Sequence, residues 1–299
     1  MFHRKQFRLR LPSRTLVLGE RTLIMGVLNV TPDSFSDGGA FLNTPAAVAR
    51  ALQMEHDGAD ILDIGGESTR PSAAPISAAE ELSRILPVLE ALREKLRIPI
   101  SVDSQKAEVA EAALATGAEM VNDVSALRTD PRIAEVCRRA HTPIILMHMR
   151  GTPSTMQQGP FARNVMRDIM VGLRQAISRA RRAAIPKSQI LLDPGIGFGK
   201  SYDQNFEILA RLPEFARLGC PIVIGTSRKG FLGKALAMPG EASLPPDRRI
   251  LGTAATVTAS ILAGAHIVRV HDVSEIASVI RVADAIVDST RGTRKRTSN

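Results

Sequence analysis

Four residues with carboxylate or amide heads, Asp63, Asp103, Asn122 and Asp193, stand at or just past the ends of short apolar runs. Acids and amides side by side can read a heterocycle that alternates N–H donors with ring acceptors. Any one of them alone has a plainer reading as a helix N-cap. Four at one phase of a repeat make four independent caps a poorer account. Cations occupy equivalent places: Arg70, Lys229, Arg269 and His271. A ring of cations around one cavity implies an anionic ligand or leaving group. Arg269 and His271 are two residues apart, so on a strand their side chains point the same way. The plainer alternative for such an arginine is a surface pair with an acid such as Asp272.

Other motifs carry less. Gly199-Lys200-Ser201 ends like a phosphate-binding loop, but Pro194 stands where the first glycine is required, and the dinucleotide-binding spacing is also missing. Lys200 is therefore expected to matter much less than Lys229. His148, His266 and His271 have no helical i, i+4 partner and there is no cysteine pair, so a zinc-type centre has no support. A Mg2+ that bridges phosphate oxygens needs only one protein oxygen plus water, and Asn29 can supply it. His266, between Ala265 and Ile267, reads as structural; His148, between two methionines, reads equally as core or as pocket wall. No Ser-His-Asp or Cys-His pair is evident.

These residues need a scaffold that brings distant segments to one place. Candidate strands lie at 23–29, 60–64, 98–103, 119–122, 143–147, 189–193, 221–225 and 267–270. They are continuous apolar runs, the pattern of strands buried on both faces. Helical patterns lie near 44–58, 77–94, 105–117, 130–140, 161–184, 203–212, 248–264 and 273–288. Ser77 with Glu80 has capping-box spacing, Asn43, Thr44 and Pro45 open the first helix, and Gly58, Gly117 and Gly264 end helices before strands. Eight strand–helix units fit an α/β (β/α)8 TIM barrel, whose strand tips share one mouth. A small hairpin at 7–18 precedes it. Residues 226–249 read as a long loop with a short helix at its start. Loops 31–39 and 65–75 are small, polar and too long for minimal turns, so they are candidates to close over a substrate.

The chain of 299 residues is expected to be one domain, with its core at about 15–290 and a disordered basic tail at 291–299. Arg4, Lys5, Arg8, Arg10 and Arg14, with Arg291, Arg294, Lys295 and Arg296, account for the whole net charge of +9. Charge at the two ends reads as solvated termini rather than a nucleic-acid groove. No apolar run is long enough for a membrane span, and no signal peptide is evident. Cys137 and Cys220 read as reduced core thiols of a cytoplasmic protein.

From about residue 22 to 288 the chain resembles the dihydropteroate synthase family. The resemblance rests on Asn-Val-Thr-Pro-Asp-Ser-Phe at 29–35, Gly-Gly-Glu-Ser-Thr-Arg-Pro at 65–71, Met147-His148-Met149, Gly151-Thr152-Pro153 and Arg269-Val270-His271-Asp272. It implies condensation of 6-hydroxymethyl-7,8-dihydropterin pyrophosphate with 4-aminobenzoate to 7,8-dihydropteroate and pyrophosphate, SN1-like and Mg2+-dependent. It implies Asp103, Lys229 and Arg269 as catalytic, and Asp103, Asn122, Asp193, Lys229 and Arg269 on the pterin. Asn29, Thr69, Arg70, Arg269 and His271 would hold pyrophosphate, with Asn29 on the metal. Phe35, Thr69, Pro71, Phe198, Ser227 and Lys229 would form the 4-aminobenzoate pocket. A homodimer, no nucleic-acid or membrane partner, and sulfonamide sensitivity are implied as well. The chain departs from the family's pattern at Ser72 and Ser104. Two rival readings are a methyltetrahydrofolate:corrinoid methyltransferase, which needs no Arg269/His271 anion corner, and a catalytically silent pterin-binding paralogue.

Overall fold

Eight short apolar runs become eight parallel strands, each followed by a helical crossover that brings the chain back to the same end. The computed structural model describes residues 4–31, 44–68 and 73–296, the last seven of these by their backbone alone. An antiparallel hairpin, β1 (Phe7–Arg10) and β2 (Thr15–Leu18), comes first. The barrel strands are β3 (Leu23–Asn29), β4 (Ile61–Gly65), β5 (Ile100–Asp103), β6 (Met120–Asp123), β7 (Ile144–Met147), β8 (Ile190–Asp193), β9 (Val223–Ile224) and β10 (Ile267–Val270). They pair in the order β8-β7-β6-β5-β4-β3-β10-β9, and a parallel bridge between Leu192 and Ile222 closes the ring.

The helices are α1 (Thr44–His56), α2 (Ala78–Leu92), α3 (Ala107–Ala115), α4 (Ile133–Ala140), α5 (Val165–Arg182), α6 (Tyr202–Ala210), the short α7 (Gly230–Leu236), α8 (Ile250–Leu262) and α9 (Val273–Arg296). All eight expected strands and helical crossovers are present, with ends shifted by a few residues. β9 is shorter than the expected 221–225, because Pro221 has no N–H to give the ladder. Ser77 caps α2 by accepting from Glu80 N at 3.1 Å. A complete capping box, not anticipated, opens α6 at Ser201 and Gln204.

Two expectations about the ends are corrected. The backbone of α9 runs on to Arg296, past the expected start of the tail at 291. Nor is the whole N-terminal cluster solvated, since Arg4 is buried and pairs with Asp284 of α9 at 3.0 Å.

Two apolar shells hold the barrel. Outward-facing Ile24, Leu62, Ile64, Val102, Val121, Leu146, Leu192 and Val268 pack under the helices. Inward-facing Leu23, Met25, Ile61, Met120, Ile145, Leu191, Val223 and Ile267 form a second cluster with Leu9, Leu11 and Leu18 of the hairpin, which plugs the bottom. With no Trp and 3% aromatics, the filling is aliphatic and methionine-rich. His266 is structural, as expected. Its Nδ1 accepts from Ile222 N at 3.1 Å, its Nε2 meets Lys5 O at 2.9 Å, and burial lowers it to about 4. Cys137 and Cys220 are buried free thiols, both pushed up by burial. No helix among the described residues is long and apolar enough to cross a membrane.

Candidate active site

Inward positions recur every second residue along a strand, and their chemistry changes with height. Two residues above the apolar plug, Ile61 gives way to Asp63, Met120 to Asn122, Leu191 to Asp193 and Ile267 to Arg269, while β5 carries Ser101 and then Asp103. The C-terminal ends of the strands therefore carry a polar ring at the barrel mouth.

Arg269 is its hub. Its Nε donates to Asp63 Oδ2 at 2.6 Å and its Nη2 to Asp103 Oδ2 at 2.7 Å. Asn122 Nδ2 donates to the same Asp63 oxygen at 3.0 Å. These are charge-assisted contacts out of water, where they are strongest. Burial works against the Arg269 cation, but Asp63 and Asp103 outweigh it and hold it above its ordinary value. Burial pushes Asp103 up; Arg269 opposes that and Asp63 adds to it. Asp193 is also pushed up by burial, against the N–H of Gly195 at 2.6 Å and the nearby cations Lys229 and Lys200.

Lys229 enters from the turn after β9. Burial, with Arg269 beside it, lowers its ammonium to about 8. Its Nζ lies 4.0 Å from the centre of the Phe198 ring, a cation–π contact. The backbone turns sharply one residue earlier: Arg228 adopts a left-handed conformation, φ 59°. That turn sends the Arg228 side chain away to a bidentate pair with Asp272, and Arg249 Nη1 holds its carbonyl at 2.7 Å. Asp272 thus pairs with Arg228, not with Arg269.

The glycines after β8 serve the turn rather than a phosphate. A Cβ on Gly195, φ 70°, would lie 1.9 Å from His148 O, and one on Gly199, φ 69°, 2.5 Å from Arg150 O. Only glycine lets this loop lie on the end of β7. It brings Phe198 against Val124, Met147, Met149 and Met156, an apolar wall facing the charged side.

The structure brings together the expected residues Asp103, Asn122, Asp193, Lys229 and Arg269, with Phe198, Ser227 and His271 on the adjoining loops and Asn29 at the tip of β3. Phe35, Thr69, Arg70 and Pro71 lie outside the described residues. Two expectations need correction. His271 is not a cation: burial and then Arg269 lower it to about 3. A Ser–His contact does exist, since Ser227 Oγ lies 3.0 Å from His271 Nδ1 and accepts from His271 N at 3.2 Å. The neutral ring has one donor and one acceptor nitrogen, and the Ser227 hydroxyl, able to give or take a hydrogen bond, suits either at Nδ1. Lys200, expected to matter less than Lys229, is buried beside His148. Sequence reasoning also left Asp63 out of the binding set, although its strand-end position was visible, and the methionine wall had no signal beyond Met147 and Met149.

Residues 25–271 match the family model described as pterin binding enzyme. The chain belongs to the pterin-binding enzyme family. A pterin-binding barrel accounts for polar inward positions gathered at one mouth. The chain is 48% identical over 268 residues to the dihydropteroate synthase of a Synechocystis strain, covering 90% of this chain and 91% of that one. The solved dihydropteroate synthase of Xanthomonas albilineans with 4-aminobenzoic acid matches with a TM-score of 0.85 and 41% identity, over 94% of this chain and 98% of that one. The Yersinia pestis enzyme in complex with a sulfonamide drug matches with a TM-score of 0.86 and 40% identity, over 96% of this chain and all of that one.

Proposed function

We infer that the chain has dihydropteroate synthase activity: it joins 4-aminobenzoate to 6-hydroxymethyl-7,8-dihydropterin pyrophosphate and releases pyrophosphate. The observation that carries this reading is the Arg269 fork between Asp63 and Asp103, beside Asn122 and in one electrostatic field with Asp193 and Lys229.

Asp103, Asn122 and Asp193 supply the alternating acceptors and donors that the pterin edge requires. The C–O bond to pyrophosphate breaks with its electron pair on the leaving group, and the methylene carbon becomes cationic in conjugation with the ring. Buried carboxylates beside that ring favour the developing positive charge. Arg269 on strand β10 and His271 just past it are assigned to the departing anion by family resemblance. The substrate's own amine then forms the C–N bond and loses its proton, so the protein needs no nucleophile. Phe198, Ser227 and Lys229 form the described part of the 4-aminobenzoate pocket, to which Phe35, Thr69 and Pro71 are assigned by family resemblance. Thr69 and Arg70 are assigned to pyrophosphate on the same ground. The order is pterin first, with pyrophosphate staying to complete the second site.

Asn29 suits a Mg2+ shared with the diphosphate. Among the described residues no three His, Cys, Asp or Glu side chains cluster to hold a metal. A hard cation that keeps most of its water needs only one amide oxygen from the protein. When bound, Mg2+ would neutralise charge on the leaving pyrophosphate. The same reading places the enzyme in the cytoplasm as a homodimer. Leu251, 74% exposed, and Val282, 63% exposed, lie on α8 and α9, which pack side by side and offer an apolar face to a second copy.

The deciding assay mixes dihydropterin pyrophosphate, 4-aminobenzoate and Mg2+ and follows pyrophosphate. Release that depends on both substrates, and that a sulfonamide competes away against 4-aminobenzoate, is the expected result. Release that is absent, or indifferent to 4-aminobenzoate, would overturn the reading.

A further inference from the structure

The glycine-rich turn after β8 ends in a lysine that the reaction above does not use. The fold nevertheless draws Lys200 inside, to 3% exposure. Its Nζ donates to the His148 carbonyl at 2.8 Å and lies 3.0 Å from His148 Nδ1. An ammonium only donates, so Nδ1 accepts and the ring proton sits on Nε2. That Nε2 stands 3.6 Å from Asp168 Oδ2 on α5, which Arg150 Nη1 also approaches at 3.7 Å. The ring fits because α5 has a glycine there: a Cβ on Gly172 would lie 2.5 Å from His148 Cδ2. On its other side Lys200 Nζ presses on the Gly195 turn, 3.1 Å from where a Cβ would be.

Lys200 thus lies in the electrostatic field of two carboxylates. Burial lowers it to about 7; Asp193 and Asp168 favour its charge, while Lys229 and Arg128 oppose it. Bracing a loop does not require a charge, and a buried charge is costly where an apolar group would fit. What the charge does accomplish is electrostatic. Asp193 is raised by burial, and its counterweights are the Gly195 N–H, then Lys229 and Lys200.

We propose that Lys200 is a positioning residue for the pterin end of the site: a second cation beside Asp193 that holds this carboxylate as an acceptor for the heterocycle, while its anchor on the His148 carbonyl fixes the turn on which the carboxylate leans. This rests on the pterin reading above and assigns a task to a lysine outside the binding set.

The test compares wild type, Lys200→Met and Lys200→Gln. Glutamine keeps a donor for the His148 carbonyl but no charge. The readouts are the KM for dihydropterin pyrophosphate and kcat from about pH 5 to about pH 9, calorimetric binding of 6-hydroxymethyl-7,8-dihydropterin, and thermal melts. Loss of a neighbouring cation should move the acid limb of kcat/KM up by about one pH unit in both variants, with the pterin KM rising roughly tenfold near pH 6 and kcat changing less. Glutamine should recover the melting temperature but not the limb. An unmoved limb in both variants, or one restored by glutamine, would reduce Lys200 to a brace and overturn the proposal. Should the methionine variant fail to fold, the glutamine variant alone decides the limb. If wild type releases no pyrophosphate, the functional reading fails instead, and pterin calorimetry against pH still decides whether Lys200 acts on Asp193.

Discussion

Replacing Asp63 by asparagine keeps its shape and removes its charge. The carboxylate is 0% exposed, and one oxygen takes both the 2.6 Å bond from Arg269 Nε and the 3.0 Å bond from Asn122 Nδ2. An amide oxygen can still take both bonds, but without the charge that strengthens them, and its NH2 must be buried at the place of Oδ1, an oxygen with no hydrogen-bond partner. A hydrogen bond to a charged group contributes about 1.5–3 kcal/mol, so Asp63→Asn should cost about 2 kcal/mol of stability. The effect on turnover follows from Arg269. It keeps the 2.7 Å contact with Asp103 but loses the anchor that fixes its plane. Small misplacements of a reacting or charge-stabilising group are expensive, so kcat/KM should fall about 10- to 100-fold, equivalent to about 1.4–2.8 kcal/mol of transition-state stabilisation. The pH profile gives a second, signed readout. Asp103 is raised by burial first, with Arg269 opposing and Asp63 adding to the rise. Without the Asp63 charge, Asp103 ionises at lower pH and the acid limb of pyrophosphate release should move down. Pyrophosphate release across pH, with a melt to confirm folding, measures all three effects. A variant that keeps kcat/KM within about twofold, or whose acid limb moves up, would show that Asp63 neither fixes the guanidinium nor acts on Asp103.

Lys229→Met keeps an apolar stem against Phe198 and removes the ammonium; the pterin KM should rise by about tenfold or more, with kcat also falling, in steady-state kinetics. The same variant tests a linkage. Lys229 is lowered to about 8 in the fold, against about 10.4 for an ordinary lysine. Between those values the unfolded chain holds a proton the native one has released, so this group makes stability rise with pH, and Lys229→Met should flatten that part of the rise in urea melts. Gly195→Ala forces a left-handed φ and a Cβ 1.9 Å from His148 O, and should cost about 2–4 kcal/mol; Gly230→Ala, at the first position of α7 with nothing within 4 Å, should be neutral or stabilise by up to about 1 kcal/mol in the same melts. Asn29→Leu should weaken Mg2+-dependent pyrophosphate binding in calorimetry while leaving Mg2+-free binding nearly unchanged, and equal losses under both conditions would remove Asn29 from the metal.

The architecture was legible because it rests on local chemistry. Glycine ends a helix by the same left-handed backbone wherever it occurs, and Gly58, Gly117 and Gly264 have φ of 106°, 115° and 99°. Short aliphatic runs between those stops leave little choice but strands buried on both faces. The helix end at 296 was not legible, because an acid-free basic run has the composition of a solvated tail. Arg4 misled for the opposite reason: its partner Asp284 lies 280 residues away in sequence, and no pattern of local charge announces such a pair.

The site was legible as a set and not as a network. Continuous runs such as Ile61-Leu62-Asp63-Ile64-Gly65 hide the two-residue alternation that decides which side chains meet inside the barrel. Once the phase is fixed by the inward Ile61, Asp63 must point at the mouth, and parallel register sets it beside Ser101 one strand over. That step identifies Asp63 as a member of the polar ring, yet it says nothing of which cation it holds. Arg269 reaches it from β10, past the intervening β3, over a separation of 206 residues. Lys200 shows the limit from the other side. Its local sequence reads as a failed phosphate loop, and its burial depends on Gly172 of one helix making room for the ring of His148 from the strand before it. A residue whose task is set by vacancies on other segments leaves no mark in its own. The electrostatics follow the same rule: His271 looks cationic in a basic motif and is neutral in the fold, because burial first, and then the arginine two residues before it, disfavour its charge.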